Sequence, residues 1–267
     1  MELSGGIPDD IDITRPSAAR VFDYFLGGAH NFEVDRQLAR QIARLTPNVA
    51  QTMRANRSFL RRAVRFLVAE GIEQFLDIGS GLPTVGNVHE VAQDANPAAR
   101  VVYVDVDPVA VAQSRAILDG DKQTGVLQVD VREPDRIVAE AVDLGLVDLS
   151  EPLAVVLAGV LHFIPDADDP VDIAARLRAA TGPGSFLLIS HATQDGQPPE
   201  VLEAQRLSAR TDTEINLRTR DRIREFFGDF TLVDPGLVFL TQWRPEPDAE
   251  VEEHPEQVGA FGGVARR

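Results

Sequence analysis

The chain of 267 residues contains no cysteine, which excludes disulfides, thiolate nucleophiles and cysteine metal sites. It also lacks any run approaching the roughly 20 uncharged apolar residues that span a bilayer. Residues 1–12 lack the basic flank and apolar run of a signal peptide. These absences predict a cytoplasmic protein without a membrane partner, and they exclude every mechanism that depends on cysteine.

Positive charge is scarce outside the N-terminal part. The formal net charge is −16, and a field of that sign repels polyanions, so nucleic acid is not an expected partner. Residues 1–70 are the exception, with ten Arg against eight acidic residues. We interpret this asymmetry as docking between a basic N-terminal part and an acidic body, not as a phosphate-binding surface.

The first 70 residues show helical spacing of apolar side chains. The pattern predicts helices over residues 17–25, 32–45 and 49–70, with Gly27 and Gly28 ending the first and Pro47 ending the second. We therefore expect residues 1–70 to form an N-terminal helical cap or lid.

From Gly71 onwards, short apolar runs alternate with helical segments. Strands are expected at residues 74–78, 101–106, 126–129, 153–158 and 185–190, and helices lie between them around 86–94, 108–118, 134–142 and 171–180. This alternation indicates a parallel sheet covered by helices on both faces.

The rest of the chain shows weaker signals. It predicts helices over residues 199–208 and 218–226, and then a closing hairpin of strands 231–234 and 238–243. Past Arg244 the run to Pro255 is rich in Pro, Glu and Asp, which is typical of an extended or disordered segment. We expect a core domain over residues 71–244 and an acidic, Pro-rich tail over 245–267.

The most informative stretch is F-L-D-I-G-S-G-L-P-T at residues 75–84. Gly79 and Gly81 let the backbone turn sharply and approach a ligand closely. Asp105 ends the next strand, where a carboxylate can accept hydrogen bonds from the ribose hydroxyls of an adenosine. Pro83 and Thr84 stand where a dinucleotide site favours a free backbone N–H and a third glycine, so they disfavour NAD.

Two further segments complete the pattern. Asp130 and Val131 follow the third strand, where the carboxylate can accept from the adenine amino group while the valine flanks the ring. The fourth strand runs through Ala158 and Gly159 towards His162. Because ligands of open α/β sheets bind at the carboxyl ends of the strands, these segments are expected to meet in one crevice.

The motifs resemble those of known methyltransferases. Val160, Leu161, His162, Pro165 and Asp166 match the fourth-strand pattern V-L-H-H-x-P-D of small-molecule class I methyltransferases, with Phe163 in place of the second histidine. Nearly the whole chain also resembles a narrower methyltransferase family, through T-R-P-S-A-A-R-V at 14–21, D-Y-F-L-G-G at 23–28, Asn31-Phe32, Asn56-Arg57, D-I-G-S-G-L-P-T at 77–84, G-N-V-H at 86–89 and Gly262-Gly263.

This resemblance implies a Rossmann-like class I methyltransferase fold, with a mainly parallel seven-stranded sheet whose last strand is antiparallel. It implies S-adenosyl-L-methionine as cofactor and in-line transfer of its methyl group to an acceptor that we expect to be a small molecule. The cofactor-binding set that it implies is Asp77, Gly79 and Gly81 at the methionine end, Asp105 at the ribose, Asp130 and Val131 at the adenine, and Ala158 and Gly159 facing the acceptor. Ser80 and Val106 belong to the same cofactor-binding set. Two alternatives remain open: a non-catalytic, cofactor-binding regulatory module and an NAD-dependent oxidoreductase.

Several single residues have two interpretations each. His162 is a candidate general base, since the ordinary pKa of histidine lies near working pH, or a residue that shapes the pocket. His191 is a comparable candidate. Arg57 pairs with a carboxylate of the cofactor or acceptor, or belongs to external ion pairs.

Two other groups of residues also have a functional and a structural interpretation. Tyr24, Gly28 and Asn31 form part of a lid that meets a ligand, or an ordinary turn between helices. The acidic cluster at residues 166, 168 and 169 suits a hard cation or the N-terminus of a helix. We predict helix capping there and no metal.

Overall fold

The described part of the computed structural model, residues 14–82, 86–199, 202, 215–246 and 253–267, contains one eight-stranded sheet. Its strands are β1 (Gln74–Ile78), β2 (Arg100–Asp105), β3 (Thr124–Gln128), β4 (Ala154–Ala158), β5 (Phe186–Ala192), β6 (Thr231–Leu232), β7 (Val238–Phe239) and β8 (Ala260–Arg266). The order is β3-β2-β1-β4-β5-β8-β6, and β7 also pairs with β8. Strands β1 to β5 are parallel, while β8 runs antiparallel to β5, β6 and β7. The Rossmann-like fold class expected from the sequence is therefore confirmed, with eight strands in place of the expected seven.

Helices cover both faces of the sheet, which explains why its central strands consist almost entirely of apolar residues. They are α1 (Ala18–Phe25), α2 (Glu33–Leu45), α3 (Val49–Ala69), α4 (Val88–Ala95), α5 (Pro108–Ile117), α6 (Pro134–Asp143), α7 (Pro170–Ala179) and α8 (Arg220–Glu225). One hydrophobic cluster joins the sheet to α3 and α4, and another joins it to α6, α7 and α8. No helix of the described residues is long and apolar enough to cross a membrane.

The expected cap consists of helices that differ in their packing. Phe59, Ala63, Val64 and Leu67 of α3 are fully buried in the same cluster as β1, β4 and β8. In contrast, α1 and α2 form a small cluster with the beginning of α3. Helix α3 therefore belongs both to the core of the sheet and to the cap.

The predicted tail over residues 245–267 is wrong for its last residues. Strand β8 pairs with β5 in an unbroken register from Phe186 opposite Arg266 to Ala192 opposite Ala260. Its sequence, A-F-G-G-V-A-R, contains two glycines, which have low strand propensity, and it follows an acidic, Pro-rich stretch. Local composition therefore concealed a buried strand whose position is determined by tertiary packing.

The predicted closing hairpin is also wrong in its pairing. Strands β6 and β7 have two residues each, and both pair with β8 instead of with each other. The chain after β7 continues as a short 3₁₀ helix, Leu240–Gln242. The predicted helix over residues 199–208 lies largely outside the described residues.

Gly262 on β8 tests how tightly this strand is packed. A Cβ there would lie 2.8 Å from Leu240 Cδ2 and 2.8 Å from Cζ of Phe59. We expect Gly262→Ala to lower the free energy of unfolding by about 1 to 3 kcal/mol, because overpacking forces side chains or backbone to shift. The measurement is urea denaturation followed by circular dichroism.

Gly182 provides the matched control, because a Cβ there would make an ordinary contact of 3.5 Å with the Leu149 carbonyl oxygen. Gly182→Ala is expected to change stability by no more than about 0.5 kcal/mol. Equal effects of the two substitutions would show that β8 is not packed as described.

Candidate functional site

A cavity of about 670 Å³ opens at the carboxyl ends of the parallel strands. Its wall includes every residue expected to bind the cofactor: Asp77, Gly79, Ser80, Gly81, Asp105, Val106, Asp130, Val131, Ala158 and Gly159. These residues lie far apart in the sequence, but they follow β1, β2, β3 and β4, and parallel strands place their carboxyl ends at the same edge of a sheet. The topology therefore brings together the residues that the motifs singled out.

The turn after β1 requires glycine at two positions for different reasons. Gly79 has φ of 72°, and a Cβ there would lie 2.5 Å from Cβ of Val160. Gly81 has φ of 67°, and a Cβ there would meet no atom of the described residues within 4 Å. Glycine adopts such angles without steric cost. The first glycine thus lets two strand ends pack closely, and the second leaves room beside the backbone on the cavity wall.

Asp77 is a buried carboxylate without a hydrogen-bond partner among the described residues, and it lines the cavity. Burial raises the pKa of Asp77 to about 7; the Arg57 guanidinium opposes this rise, and the Asp105 carboxylate adds to it. Burial also lowers the pKa of Arg57, which lines the cavity too. A buried charge without a hydrogen bond is costly, and a ligand with groups of both signs could compensate the charges of both side chains.

Asp105 connects the end of β2 to the glycine turn. Its Oδ2 accepts from the Gly81 backbone N–H at 2.7 Å, and its Oδ1 accepts from that of Asp107 at 2.9 Å. Burial raises the pKa of Asp105 to about 6 despite these hydrogen bonds. The neighbouring Val106 is 60% exposed and contributes an apolar side chain to the cavity wall.

Asp130 lies where β3 ends, in a more exposed environment. Arg132 forms an ion pair with it at 2.8 Å and reaches Asp168 at 3.2 Å. Burial alone would raise the pKa of Asp130, but the hydrogen bonds from Arg132 outweigh this effect and lower it. The carboxylate is therefore ionised at neutral pH and can act as an acceptor.

Helix α1 closes the cavity through a buried ion network. Nε of Arg20 donates to Asp35 at 2.9 Å, and its Nη1 lies 3.4 Å from Asp107 Oδ2. The three side chains are at most 8% exposed. Asp107 also accepts from the Ser17 hydroxyl and caps α5 by accepting from the Val109 N–H. The basic N-terminal part thus docks on an acid of the sheet domain, as its charge predicts.

Sequence reasoning missed part of the wall. Helix α1 and the residues before it contribute Arg15, Pro16, Ser17, Ala18, Ala19, Arg20, Phe22 and Asp23, while Asn56 and Leu60 come from α3 and Phe163 and Ile164 follow β4. The signal was available in the T-R-P-S-A-A-R-V stretch and in Asn56, which carried the family resemblance without an assigned role.

The two candidate histidines do not line the cavity. Burial lowers the pKa of His162 to about 3, with Arg218 adding to the effect, and its Nδ1 lies 3.5 Å from the Ala192 backbone N. Burial likewise lowers the pKa of His191 well below its ordinary value; its Nε2 accepts from Arg218 at 2.9 Å. Both rings are therefore neutral at pH 7, and their contacts favour a structural role.

Tyr24, Gly28 and Asn31 also lie outside the cavity wall. Oδ2 of Asp23 accepts from the His30 backbone N–H at 2.9 Å and from Asn31 Nδ2 at 2.8 Å. A Cβ on Gly28 would lie 1.9 Å from Asp23 Oδ1. These contacts favour the interpretation of the segment as a turn between helices, organised around one buried carboxylate.

The acidic cluster after β4 has separate partners. Asp169 is the N-cap of α7 and accepts from the Asp172 N–H at 3.1 Å, so helix capping is confirmed for this residue. Asp166 pairs with Arg218 at 2.8 Å, and Asp168 with Arg132. Across the described residues, no group of three or more acidic or histidine side chains is placed to hold a metal ion.

Substitution of Arg20 tests whether its network holds the cap. Arg20→Ala would leave Asp35 and Asp107 buried without their cation, so we expect a loss of about 3 kcal/mol in the free energy of unfolding. Hydrogen exchange of α1 and α2 should accelerate. Arg40→Ala is the control, because Arg40 pairs with Glu33 on the exposed face of α2. If Arg20→Ala were as mild as this control, the network would not hold the cap.

The fold and the site together define a class of protein. Strand order β3-β2-β1-β4-β5, an antiparallel strand beside β5 and a cavity at the carboxyl ends are the arrangement of class I S-adenosylmethionine-dependent methyltransferases. A family model described as S-adenosyl methyltransferase matches residues 4–267. The chain belongs to this family.

Solved structures agree with this assignment. A protein from Thermobifida fusca YX, described as a "putative methyltransferase", is 41% identical with a TM-score of 0.90, covering 97% of this chain and 98% of that one. A duf574 family protein from Streptomyces avermitilis MA-4680 is 35% identical with a TM-score of 0.90, covering 96% and 99%.

A curated relative matches a shorter region. The ribosomal protein L11 methyltransferase of Geobacter metallireducens is 33% identical over 117 residues, which are 43% of this chain and 31% of that protein. The matched region therefore spans about a third of that relative's length.

Proposed function

We propose that this protein transfers the methyl group of S-adenosylmethionine to a small-molecule acceptor, and that the cavity at the carboxyl ends of the strands holds both. The observation that carries the proposal is Asp77, a buried carboxylate that faces the cavity without a hydrogen-bond partner among the described residues. A ligand ammonium group would compensate its charge.

The lining fits the different parts of the cofactor. Asp77 and Arg57 have the charges to hold the ammonium and carboxylate groups of its methionine end, beside the open space at Gly81. Asp105 is the acceptor for the ribose hydroxyls. Asp130 can accept from the adenine amino group, with Val106 and Val131 as apolar neighbours for the ring.

The bound cofactor would supply a methyl group on a positively charged sulfur. The protein's part is to position donor and acceptor and to exclude water, an effect that can account for several kcal/mol of the barrier. No His, Lys or Tyr is among the described residues that line the cavity. This supports catalysis by positioning over proton removal by His162.

Calorimetric titration tests the cofactor assignment. We expect wild-type protein to bind S-adenosylmethionine and S-adenosylhomocysteine saturably and not to bind NAD. Asp105→Asn should weaken both by roughly tenfold, because a hydrogen bond to a charged acceptor contributes about 1.5 to 3 kcal/mol. Asp143→Asn, at the exposed end of α6, is the control.

Each other outcome has a definite meaning. Binding of NAD alone would contradict the proposal. Unchanged affinity in Asp105→Asn would place the ribose elsewhere. Tight cofactor binding with no transfer to any member of a broad acceptor library would favour a regulatory module.

The buried Asp77 side chain should strengthen cofactor binding and lower the free energy of unfolding of the protein. In the unfolded chain Asp77 ionises near 3.8, whereas in the fold burial keeps its pKa at about 7. Between these values the folded state retains a proton that the unfolded state releases, so this group's contribution to stability falls as pH rises. Asp77→Asn should therefore raise the free energy of unfolding by about 4 kcal/mol at pH 8, with little gain near pH 4.

The same substitution should weaken cofactor binding at pH 8, because the ammonium group loses its counter-charge. Urea denaturation across pH and calorimetry measure the two effects. Asp94→Asn, on the exposed side of α4, should show neither. A variant that is less stable than wild type at pH 8 would refute a net cost of burying the Asp77 charge.

A further inference from the structure

One part of the cavity wall has no role once the cofactor residues are placed. It includes Phe22, Asn56, Leu60, Val160, Phe163 and Ile164, and Asn56 lies beside Gly159, where the expected acceptor side begins. Five of these six side chains are apolar. Asn56 is the exception, and its polar atoms decide which chemistry this surface, here termed the acceptor wall, can recognise.

Asn56 is held in one orientation. It is 9% exposed, and its Oδ1 accepts from the Ser190 hydroxyl of β5 at 2.5 Å. Its Nδ2 has no hydrogen-bond partner among the described residues, and it is not among the fully buried polar atoms that lack one. Nδ2 lies 3.4 Å from the position that a Cβ on Gly159 would occupy. Because the residue lines the cavity, its free N–H groups are presented there.

A primary amide nitrogen donates hydrogen bonds and does not accept them. Asn56 Nδ2 therefore selects a ligand atom with a lone pair, such as a carboxylate or phenolate oxygen. A protonated amine has no such lone pair. It would also meet a cationic sulfonium when the cofactor is bound, so charge opposes it as well.

Asp23 is the carboxylate of α1 that lines the cavity, and it does not recognise an amine. Its Oδ2 already accepts from the His30 N–H and from Asn31. Its Oδ1 has less than 1 Å² of accessible surface and is covered by Gly28. A ligand cation thus cannot reach either oxygen without disrupting the turn.

We propose that the acceptor wall binds an apolar molecule through an oxygen that is ionised at neutral pH, a carboxylate or an acidic phenol or enol, which accepts from Asn56 Nδ2. This inference rests on the proposed methyl transfer. An ionised oxygen needs no base: its lone pair forms the new O–CH₃ bond, the electron pair of the S–CH₃ bond stays on sulfur, and the two opposite charges disappear. This agrees with a cavity wall on which no His, Lys or Tyr is found among the described residues.

Matched ring compounds test the proposal. Benzoate, benzyl alcohol and benzylamine are titrated by saturation-transfer NMR into protein loaded with S-adenosylhomocysteine. We expect benzoate to bind at least tenfold more tightly than benzylamine and more tightly than benzyl alcohol. Asn56→Asp keeps the shape of the side chain and its bond from Ser190 but replaces the free donor by a negative charge, so it should weaken benzoate binding at least tenfold.

Ser190→Ala tests the positioning of the amide. It releases Asn56 Oδ1, so benzoate binding should weaken by about threefold while the affinity for S-adenosylhomocysteine stays within about twofold in both variants. This second readout separates a change in the acceptor wall from loss of the fold.

The possible failures are distinguishable. If S-adenosylhomocysteine does not bind to wild-type protein, the proposed function fails, and this inference fails with it. If it binds but benzoate does not, or if benzylamine or benzyl alcohol binds as tightly as benzoate, the inference alone is wrong. Unchanged benzoate binding in Asn56→Asp would likewise overturn it.

Discussion

Carboxylates gathered at one buried edge of a parallel sheet are the constraint on which this structure depends. Asp77, Asp105 and Asp107 all lie where β1 and β2 end, and each is largely removed from water. Like charges in a region of low dielectric repel strongly, and each also loses its hydration. Hydrogen bonds or nearby positive charge reduce this cost, and the three carboxylates receive them unequally. Backbone N–H groups serve Asp105, Arg20 from the N-terminal cap serves Asp107, and Asp77 has no donor among the described residues.

These interactions of the buried carboxylates explain why the N-terminal segment is part of the cavity wall. Arg20 connects two buried acids, one from α2 and one from the sheet domain, so docking of α1 also satisfies an acid of the cavity. Removing either the cap or the acid would leave the other with an unpaired buried charge, which is more costly than removing both. Asp77 is different: burial of its charge lowers stability, and in the proposed function this charge serves a ligand, as is common where a fold carries a binding site.

The sequence predicted well which residues at the strand ends line the cavity, because this information is local. A glycine turn after an apolar strand and acids at strand ends are features of short segments, and strand β1 was placed correctly at residues 74–78. Strand β8 and the pairing of β6 and β7 could not be predicted, since their partners are distant in sequence and β8 contains two glycines. For a similar reason, the sequence could not predict that His162 lies outside the cavity wall. The number of residues between a strand end and a side chain does not determine the direction in which that side chain points.

The acceptor wall includes side chains of α1 and α3 as well as residues that follow β4, and this has a consequence for specificity. The residues proposed to bind the cofactor lie at strand ends, and the backbone hydrogen bonds of the sheet set the spacing of these ends. The acceptor wall draws on Phe22 of α1 and on Asn56 and Leu60 of α3, whose positions depend on side-chain packing. Substitutions on these helix faces can therefore change the acceptor while leaving the cofactor contacts intact. Asn56 is more constrained than its apolar neighbours, because Ser190 of β5 orients its amide. The chemistry of the acceptor's reactive atom is thus tied to the sheet, whereas the shape of its apolar body depends also on the helices.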